Sequence, residues 1–197
     1  MDIEIKRQII HACGVFTILL VQIFDRWNAA VLTFLIAAIF FLLAKYRQMR
    51  KRRESSLRAK VVDEFEDYLE NGVKNYERPK ELPLKGAITF YTGCFLSIAL
   101  FQPSIAIASI TVLALADSLS TIIGKFFGKH KLSINKEKSW EGSITFFIAS
   151  FLILLFFIKH PLNALVIGIT TTLVEMLPKI DDNITVPLTV GILMSLI

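Results

Sequence analysis

Long apolar segments separated by short polar breaks are the dominant pattern in this chain of 197 residues. Runs of this length are typical of membrane-spanning helices, and several are nearer 15 than 20 residues, so their flanking polar groups would have to reach the interface. The pattern predicts an all-α fold, a polytopic integral membrane helical bundle of about seven transmembrane helices. The seven predicted spans are residues 9–24, 29–44, 84–101, 105–123, 144–158, 162–177 and 184–197.

One sizeable polar segment, residues 45–83, interrupts this pattern. Its first part, residues 45–53, is basic and suits anionic lipid headgroups. Apolar residues then recur at helical spacing opposite a row of acids, which predicts an amphipathic helix at the membrane interface. We interpret this insert as a structural cap, with a regulatory or substrate-gating role as the alternative. The apolar residues of the predicted helix are Leu57, Val61, Val62, Phe65, Tyr68 and Leu69.

The distribution of basic residues predicts the orientation. With the N-terminus on the cytoplasmic side, twenty of the 22 Lys and Arg residues fall in inner segments, and only Arg26 and Lys159 fall in outer turns. Basic residues collect on the cytoplasmic side of membrane proteins. We therefore expect a multi-pass protein of the cell membrane with a cytoplasmic N-terminus and an active site that faces the cytoplasm. The first span has no small-residue cleavage site before it and is expected to be retained.

Composition supports a membrane protein and narrows its partners. The chain is 54% hydrophobic, which is high for a soluble domain, and its length suits a single domain over residues 1–197. The net charge of +5 is explained by the Lys and Arg residues of the predicted cytoplasmic segments, so no nucleic-acid partner is expected. Both cysteines, Cys13 and Cys94, lie in apolar runs and are interpreted as buried free thiols.

The strongest chemical signal is Asp117, a carboxylate inside the fourth apolar segment. Ionisable residues at membrane depth are costly and are therefore functional candidates. A glycine-broken, lysine-rich loop follows it and ends at Glu141 and Gly142, and such a loop suits a polyphosphate. The loop residues are Gly124, Lys125, Gly128, Lys129, Lys131, Lys136, Lys138 and Ser139.

Two further polar clusters fall on the same predicted side. Glu175 lies near the inner end of the sixth segment, before Asp182 and Asn183, and His11 lies about one turn into the first segment. Oxygen ligands such as Asp117, Asp182 and Asn183 suit Mg²⁺, which typically takes one or two carboxylates together with substrate phosphates. We expect these clusters to converge on one site.

Simpler structural explanations remain open for several of these residues. Gly124 and Gly128 form a Gly-x-x-x-Gly pattern that also suits close helix packing, although its place between lysines at the end of a span favours a turn that phosphate can approach. The loop lysines suit a cytoplasmic loop of any function, and His11 suits bundle packing as well as catalysis. No zinc spacing, Ser-His-Asp pattern or nucleotide-binding P-loop is present.

The combined motif resembles the signature of CTP-using lipid enzymes. These comprise phosphatidate cytidylyltransferases and a kinase branch that acts on dolichol, other polyprenols, phytol or diacylglycerol. The likeness runs from Asp117 through the lysine loop to Ser143, and the opening around His11 and the segment 175–188 resemble the kinase branch. The closing pattern of the cytidylyltransferases is absent. Ala116 stands where the family usually has glycine, which changes packing but removes no ligand.

This resemblance implies a CTP-dependent, Mg²⁺-assisted kinase that phosphorylates a membrane lipid alcohol of the dolichol or polyprenol type. We assign the metal to Asp117 and Asp182 with support from Asn183. We expect Glu141 to orient Lys138 or the nucleotide, and Glu175 to activate the lipid hydroxyl. The catalytic candidates are Asp117, Lys138, Glu141 and Glu175. The nucleotide-binding candidates are Gly124, Lys125, Gly128, Lys129, Lys131, Lys136, Ser139 and Gly142, and of these Lys125 and Lys129, together with Lys138, are expected to clamp the phosphates.

Two alternatives stay open at this point. A cytidylyltransferase would release pyrophosphate and make a CDP-activated lipid. A small membrane transporter would also place carboxylates in spans, although transporter sites usually lie near the midplane within repeats. The sequence does not distinguish phytol, long polyprenols and diacylglycerol, and it leaves the oligomeric state open.

Overall fold

A computed structural model describes residues 8, 11–12, 14–53, 84–177 and 181–197 of the chain. The predicted amphipathic helix, Lys6, Arg7 and Cys13 lie outside the described residues. The described part is helical, with one isolated bridge between Lys131 and Ser139. The helices are α1 (Gly14–Ile23, opened by a 3₁₀ turn), α2 (Arg26–Arg53), α3 (Lys85–Leu100), α4 (Pro103–Phe126), α5 (Trp140–Ile158), α6 (Pro161–Glu175) and α7 (Asp182–Ser195).

The all-α prediction is confirmed, and each predicted apolar segment corresponds to one of these helices. Three helices are long and apolar enough to cross a membrane: Arg26–Met49 within α2, Pro103–Phe126 and Trp140–Ile158. The helices α1, α3 and α6 are apolar but shorter. These helices indicate a membrane protein. That the chain crosses the membrane seven times, and that its N-terminus is cytoplasmic, remain predictions.

Local chemistry explains where several helices begin. Pro103 and Pro161 occupy first-turn positions, where the missing N–H costs nothing. The Ser139 hydroxyl accepts the Gly142 N–H at 3.2 Å, so α5 begins four residues before the predicted span at Ile144. At the opposite end of the bundle, Arg26 donates to the carbonyls of Ile98 at 2.9 Å and Ala99 at 2.5 Å and so caps the C-terminus of α3.

Helices α4 and α7 are at the centre of the bundle. One contiguous core draws buried residues from all seven helices, and the middle of α4, including Val112 and Leu113, is fully buried. Small residues such as Ala29, Ala37 and Ala44 line the buried side of α2 and let it approach α3 closely. The outer faces expose large apolar side chains, which suits contact with lipid.

A π-helical turn, Val112–Ala116, interrupts α4 immediately before Asp117. Such turns contain an extra residue relative to regular α-helix and occur frequently at functional sites. The extra residue changes the direction in which every following side chain of α4 points. The turn therefore helps to decide which neighbours Asp117 faces.

Candidate active site

A polar cavity of about 1040 Å³ opens at the end of the bundle where α4, α6 and the loop before α5 meet. Residues far apart in the sequence line it, and eleven of the fourteen predicted site residues are among them. The predicted residues that line the cavity are Asp117, Gly124, Lys125, Lys131, Lys136, Lys138, Ser139, Gly142, Glu175, Asp182 and Asn183. The other three predicted site residues, Gly128, Lys129 and Glu141, are not in the lining.

Lys138 is held by two acids. Its ammonium nitrogen lies 2.6 Å from Glu175 Oε1, 2.5 Å from the Glu175 carbonyl oxygen and 2.5 Å from Asp182 Oδ2. A lysine has three N–H donors, so all three are used. Desolvation by burial would lower the pKa of Lys138, but Asp182 and Glu175 outweigh it and raise that pKa. In this arrangement Lys138 positions Asp182, and its predicted role as a phosphate clamp would require it to exchange partners.

Glu175 is buried and both of its carboxylate oxygens are engaged. Oε1 pairs with Lys138, and Oε2 accepts a hydrogen bond from Ser143 at 3.2 Å. A carboxylate that is already occupied by these two donors has little capacity to accept a proton from a substrate. The geometry therefore favours a positioning role for Glu175 over the predicted activation of a lipid hydroxyl.

Asp182 has one oxygen without a partner. Its Oδ2 pairs with Lys138, whereas Oδ1 is buried and accepts no hydrogen bond from any described residue. Burial raises the pKa of Asp182 to about 7; Lys138 opposes this rise, and Asp117 and Glu175 add to it. Glu175 and Asp182 thus share one lysine with Asp117 close enough to repel them, and an added cation would relieve this repulsion.

Asp117 faces His11 and Asn183. His11 Nε2 lies 4.0 Å from Asp117 Oδ2 and 2.7 Å from Asn183 Oδ1. Two of the three predicted metal ligands, Asp117 and Asn183, are therefore within 4.0 Å of the same ring nitrogen, although they are 66 positions apart in the sequence. Asn183 also donates from Nδ2 to Thr89 Oγ1 at 2.9 Å.

These residues fit a magnesium site that is completed by substrate. No group of three His, Cys, Asp or Glu side chains among the described residues forms a complete metal site. Mg²⁺ ordinarily takes only one or two carboxylates and fills its other positions with water and phosphate oxygens. The unpartnered Asp182 Oδ1 and the Asp117 carboxylate, which has no lysine partner in the described part of the chain, provide ligands of that kind.

The loop between α4 and α5 forms a short hairpin. Leu132 N–H donates to the Lys138 carbonyl, Trp140 N–H donates to the His130 carbonyl, and the Leu132 side chain is 1% exposed. Glu141 accepts from the Lys129 backbone N–H at 3.1 Å and lies 2.8 Å from His130 Nδ1. Glu141 therefore orients the hairpin through residues 129 and 130, and the structure does not place it against Lys138. No partner for His130 was evident in the sequence, because His130 and Glu141 meet only across the folded hairpin.

The loop glycines serve close packing. A Cβ atom on Gly128 would lie 2.1 Å from the Gly124 carbonyl oxygen and 2.4 Å from Ser139 Oγ. A Cβ atom on Gly142 would lie 3.0 Å from the Ser120 carbonyl oxygen and 3.2 Å from Gly124 Cα. The packing interpretation of the Gly-x-x-x-Gly pattern thus describes this structure, although Gly124 and Gly142 also line the cavity.

The cations of the cavity come from two walls. Lys125, Lys131 and Lys136 extend from the α4–α5 side, whereas Lys129 contacts Glu141 through its backbone and lies outside the lining. Lys85, at the start of α3, also lines the cavity and was not singled out in the sequence. One feature of the sequence could have identified Lys85: it lies at the predicted cytoplasmic end of a span, on the same side as the other polar clusters.

Comparison with known proteins gives relatives of one kind. No family model matches the chain, and no solved structure matches it. The chain is 31% identical over 142 residues to "Probable phytol kinase, chloroplastic" of Zea mays, which covers 62% of the chain and 46% of that protein. It is 32% identical over 130 residues to "Phytol kinase 1, chloroplastic" of Arabidopsis thaliana, covering 56% of the chain and 42% of that protein.

A third relative carries a different substrate name. The chain is 41% identical over 101 residues to "Farnesol kinase, chloroplastic" of Arabidopsis thaliana, covering 43% of the chain and 33% of that protein. The chain thus spans less than half the length of the curated relatives that it matches. Its homologues are kinases named for phytol and farnesol, and this confirms the relationship to the polyprenol-type kinases that the motifs indicated.

Proposed function

We propose that this chain transfers the terminal phosphoryl group of CTP to the hydroxyl of an isoprenoid alcohol in the membrane. The hydroxyl oxygen forms a bond to the γ-phosphorus, the bond from that phosphorus to CDP breaks, and the hydroxyl proton is released. The supporting observation is the polar cavity in which Asp117, Asp182 and a set of lysines meet at the end of an apolar bundle. The names of the relatives favour phosphorylation of an alcohol over formation of a CDP-lipid.

Asp117 and Asp182 would hold Mg²⁺, with Asn183 beside them. An ion held there would supply positive charge that offsets the charge developing on the phosphates during transfer. Lys138 keeps Asp182 in place through its short contact at 2.5 Å, and Glu175 keeps Lys138 in place. This division replaces the predicted use of Glu175 as a base. Phosphoryl transfer depends mainly on positioning and electrostatics, so a dedicated base is a minor requirement.

The lysines of the cavity would bind the nucleotide phosphates. Lys85, Lys131 and Lys136 are exposed and line the cavity from two sides. Positive charge fixed around a phosphate chain lowers the energy of the transfer transition state. Selection of CTP over other nucleotides rests on the family resemblance.

The lipid alcohol would approach from the bilayer, with its hydroxyl at the interface and its tail among the apolar helices. The side that carries the cavity also carries most of the basic residues, so we place it on the cytoplasmic face of the cell membrane. The relatives are chloroplastic by name, and that word describes those plant proteins. We favour alcohols of the phytol or farnesol type as substrates over diacylglycerol and dolichol.

The test is phosphoryl transfer by purified protein in detergent or liposomes. The reaction should contain γ-labelled CTP, Mg²⁺, and phytol, farnesol, geranylgeraniol, a long polyprenol or diacylglycerol. We expect label in an isoprenoid monophosphate, loss of transfer with EDTA, and loss of transfer in Asp117→Asn prepared in the same way. Release of pyrophosphate with a CDP-lipid product would show the cytidylyltransferase alternative, and solute flux without nucleotide would show a transporter.

A further inference from the structure

His11 connects the elements that present the candidate metal ligands. Its ring contacts Ser118 Oγ at 3.2 Å through Nδ1 and Asn183 Oδ1 at 2.7 Å through Nε2. Ser118 directly follows Asp117 in α4, and Asn183 directly follows Asp182 in α7. One side chain therefore holds the two helices together at the residues next to both acids.

A hydrogen bond from the amide nitrogen of Asn183 fixes the orientation of its side chain. Asn183 Nδ2 donates to Thr89 Oγ1 at 2.9 Å, so the amide oxygen is the atom that faces His11. An amide oxygen is only an acceptor, and the His11 nitrogen that contacts it must carry hydrogen. His11 is thus held with hydrogen on Nε2, and its Nδ1 is free to accept from the Ser118 hydroxyl in the neutral ring.

Packing holds the ring in the same position. The Phe90 ring meets the His11 ring edge to face, with centroids 4.7 Å apart. A Cβ atom on Gly14 would lie 2.2 Å from Phe90, and one on Gly93 would lie 1.9 Å from the Asn183 carbonyl oxygen. Two glycines therefore allow the close approach that brings His11, Phe90 and Asn183 together.

We propose that His11 is a positioning residue that sets the separation of Asp117 and Asn183 through a relay from Ser118 to Thr89. The relay acts directly after the π-helical turn of α4, which helps to set the direction in which Asp117 points. This inference rests on the proposed function for its kinetic consequences. The relay itself is testable without any activity.

The kinetic test compares His11→Gln with His11→Asn. The Gln amide nitrogen can occupy the place of Nε2 and donate to Asn183, whereas the shorter Asn side chain reaches only the position of Nδ1. We expect His11→Asn to lower kcat and raise the Mg²⁺ concentration for half activity by about tenfold to a hundredfold, the usual effect of a residue that orients a ligand. His11→Gln should recover most of this loss, and KM for the lipid alcohol should change little in both variants. A higher KM with unchanged kcat, or equal loss in both variants, would contradict the proposal.

A second variant removes the far end of the relay. Thr89→Val keeps the side-chain volume but removes the acceptor for Asn183 Nδ2. It should lower kcat in the wild-type background and have no further effect in His11→Asn, because residues of one network are not additive. Independent effects of the two substitutions would overturn the relay.

The test without activity is ¹⁵N NMR of protein with labelled histidine, in which His11→Gln identifies the His11 signals. We expect hydrogen on Nε2 in the wild type and a mixture of tautomers in Thr89→Val. Hydrogen on Nδ1 alone in the wild type would overturn the proposal. A wild type with the expected tautomer but no phosphoryl transfer would contradict the proposed function and leave the relay in place.

Discussion

Lys138 is the residue that neutralises the two acids Glu175 and Asp182 in the cavity. Its three contacts with Glu175 and Asp182 are all 2.6 Å or shorter, and its side chain is 20% exposed. Removing one partner of such a group leaves acids buried without a counter-charge, which costs far more than losing an exposed ion pair. Lys136, two positions earlier, also lines the cavity but is exposed.

These two lysines should therefore respond differently to the same substitution. We expect Lys138→Met to destabilise the protein by about 3 kcal/mol and to abolish transfer. Lys136→Met should leave stability unchanged and raise KM for CTP severalfold. Thermal unfolding in detergent at one scan rate, with CTP titrations, measures both effects. Glu175→Gln added to Lys138→Met should restore part of the stability, and equal unfolding temperatures for the two single variants would contradict this view of Lys138.

The glycines give a second comparison at the scale of single residues. Gly128→Ala would place a methyl group 2.1 Å from the Gly124 carbonyl oxygen, a backbone atom that cannot move without shifting α4. At Gly168 the nearest atoms would lie 3.6 Å away, which is ordinary contact. We expect Gly128→Ala to lower the unfolding temperature and the activity together. Gly168→Ala should be neutral or stabilise α6 by roughly 0.5–1 kcal/mol; equal behaviour of the two variants would show that Gly128 is not packed as described.

The residue identities of the site were largely predictable, but their partners were not. Asp117, Glu175 and Asp182 stood out because acids beside apolar runs are rare and costly. That Lys138 contacts residues 37 and 44 positions later depends on which helix ends meet, and hydrophobic periodicity contains no such information. The pairing of Glu141 with His130, and of His11 with Asn183, was missed for the same reason.

Among the elements, the hairpin before α5 is the one whose docking depends on a single apolar side chain. Leu132 is 1% exposed, although its neighbours Lys131, Ser133 and Ile134 are exposed. Burial of this one leucine helps to fix the backbone that carries Lys131, Lys136 and Lys138. The hairpin thus couples a hydrophobic contact to the position of the cavity's cations.

Truncating that side chain should loosen the hairpin without touching its charges. We expect Leu132→Ala to cost about 2–5 kcal/mol of local docking energy and to raise KM for CTP, while KM for the lipid alcohol stays the same. Phe127→Ala is the control, since Phe127 lies in the same loop, is 63% exposed and does not line the cavity, so its truncation should alter neither constant. An unchanged KM for CTP in Leu132→Ala would show that the hairpin does not position the nucleotide.

Element boundaries differ from the sequence prediction where polar residues continue a helix. The second span was predicted to end at residue 44, but α2 continues to Arg53 because its basic residues are good helix formers. Helix α4 begins at Pro103 and ends at Phe126, beyond the predicted range of 105–123 at both ends. Apolar content marks the part of a helix that lipid can cover, whereas capping and propensity decide where the helix stops.

For the whole molecule, the length of α4 links the fold to membrane topology. Its 24 residues span about 36 Å, more than the roughly 30 Å of a bilayer's hydrocarbon core. Ser104 lies at its start, near the end of α3 that Arg26 caps, and the hairpin with Ser133 follows its other end. If α4 crosses the membrane, these two serines face opposite compartments.

Cysteine labelling of intact cells can test this arrangement and the predicted orientation together. In a background with Cys13→Ala and Cys94→Ala that retains activity, Ser104→Cys should react with a membrane-impermeant maleimide from outside. Ser133→Cys should react only after permeabilisation, because the basic hairpin belongs on the cytoplasmic side. Both serines are exposed, so a difference in labelling reports the compartment and not burial. The reverse pattern would invert the topology and place the cavity outside, where it would have no access to cytoplasmic CTP, and equal labelling would show that α4 does not cross the membrane.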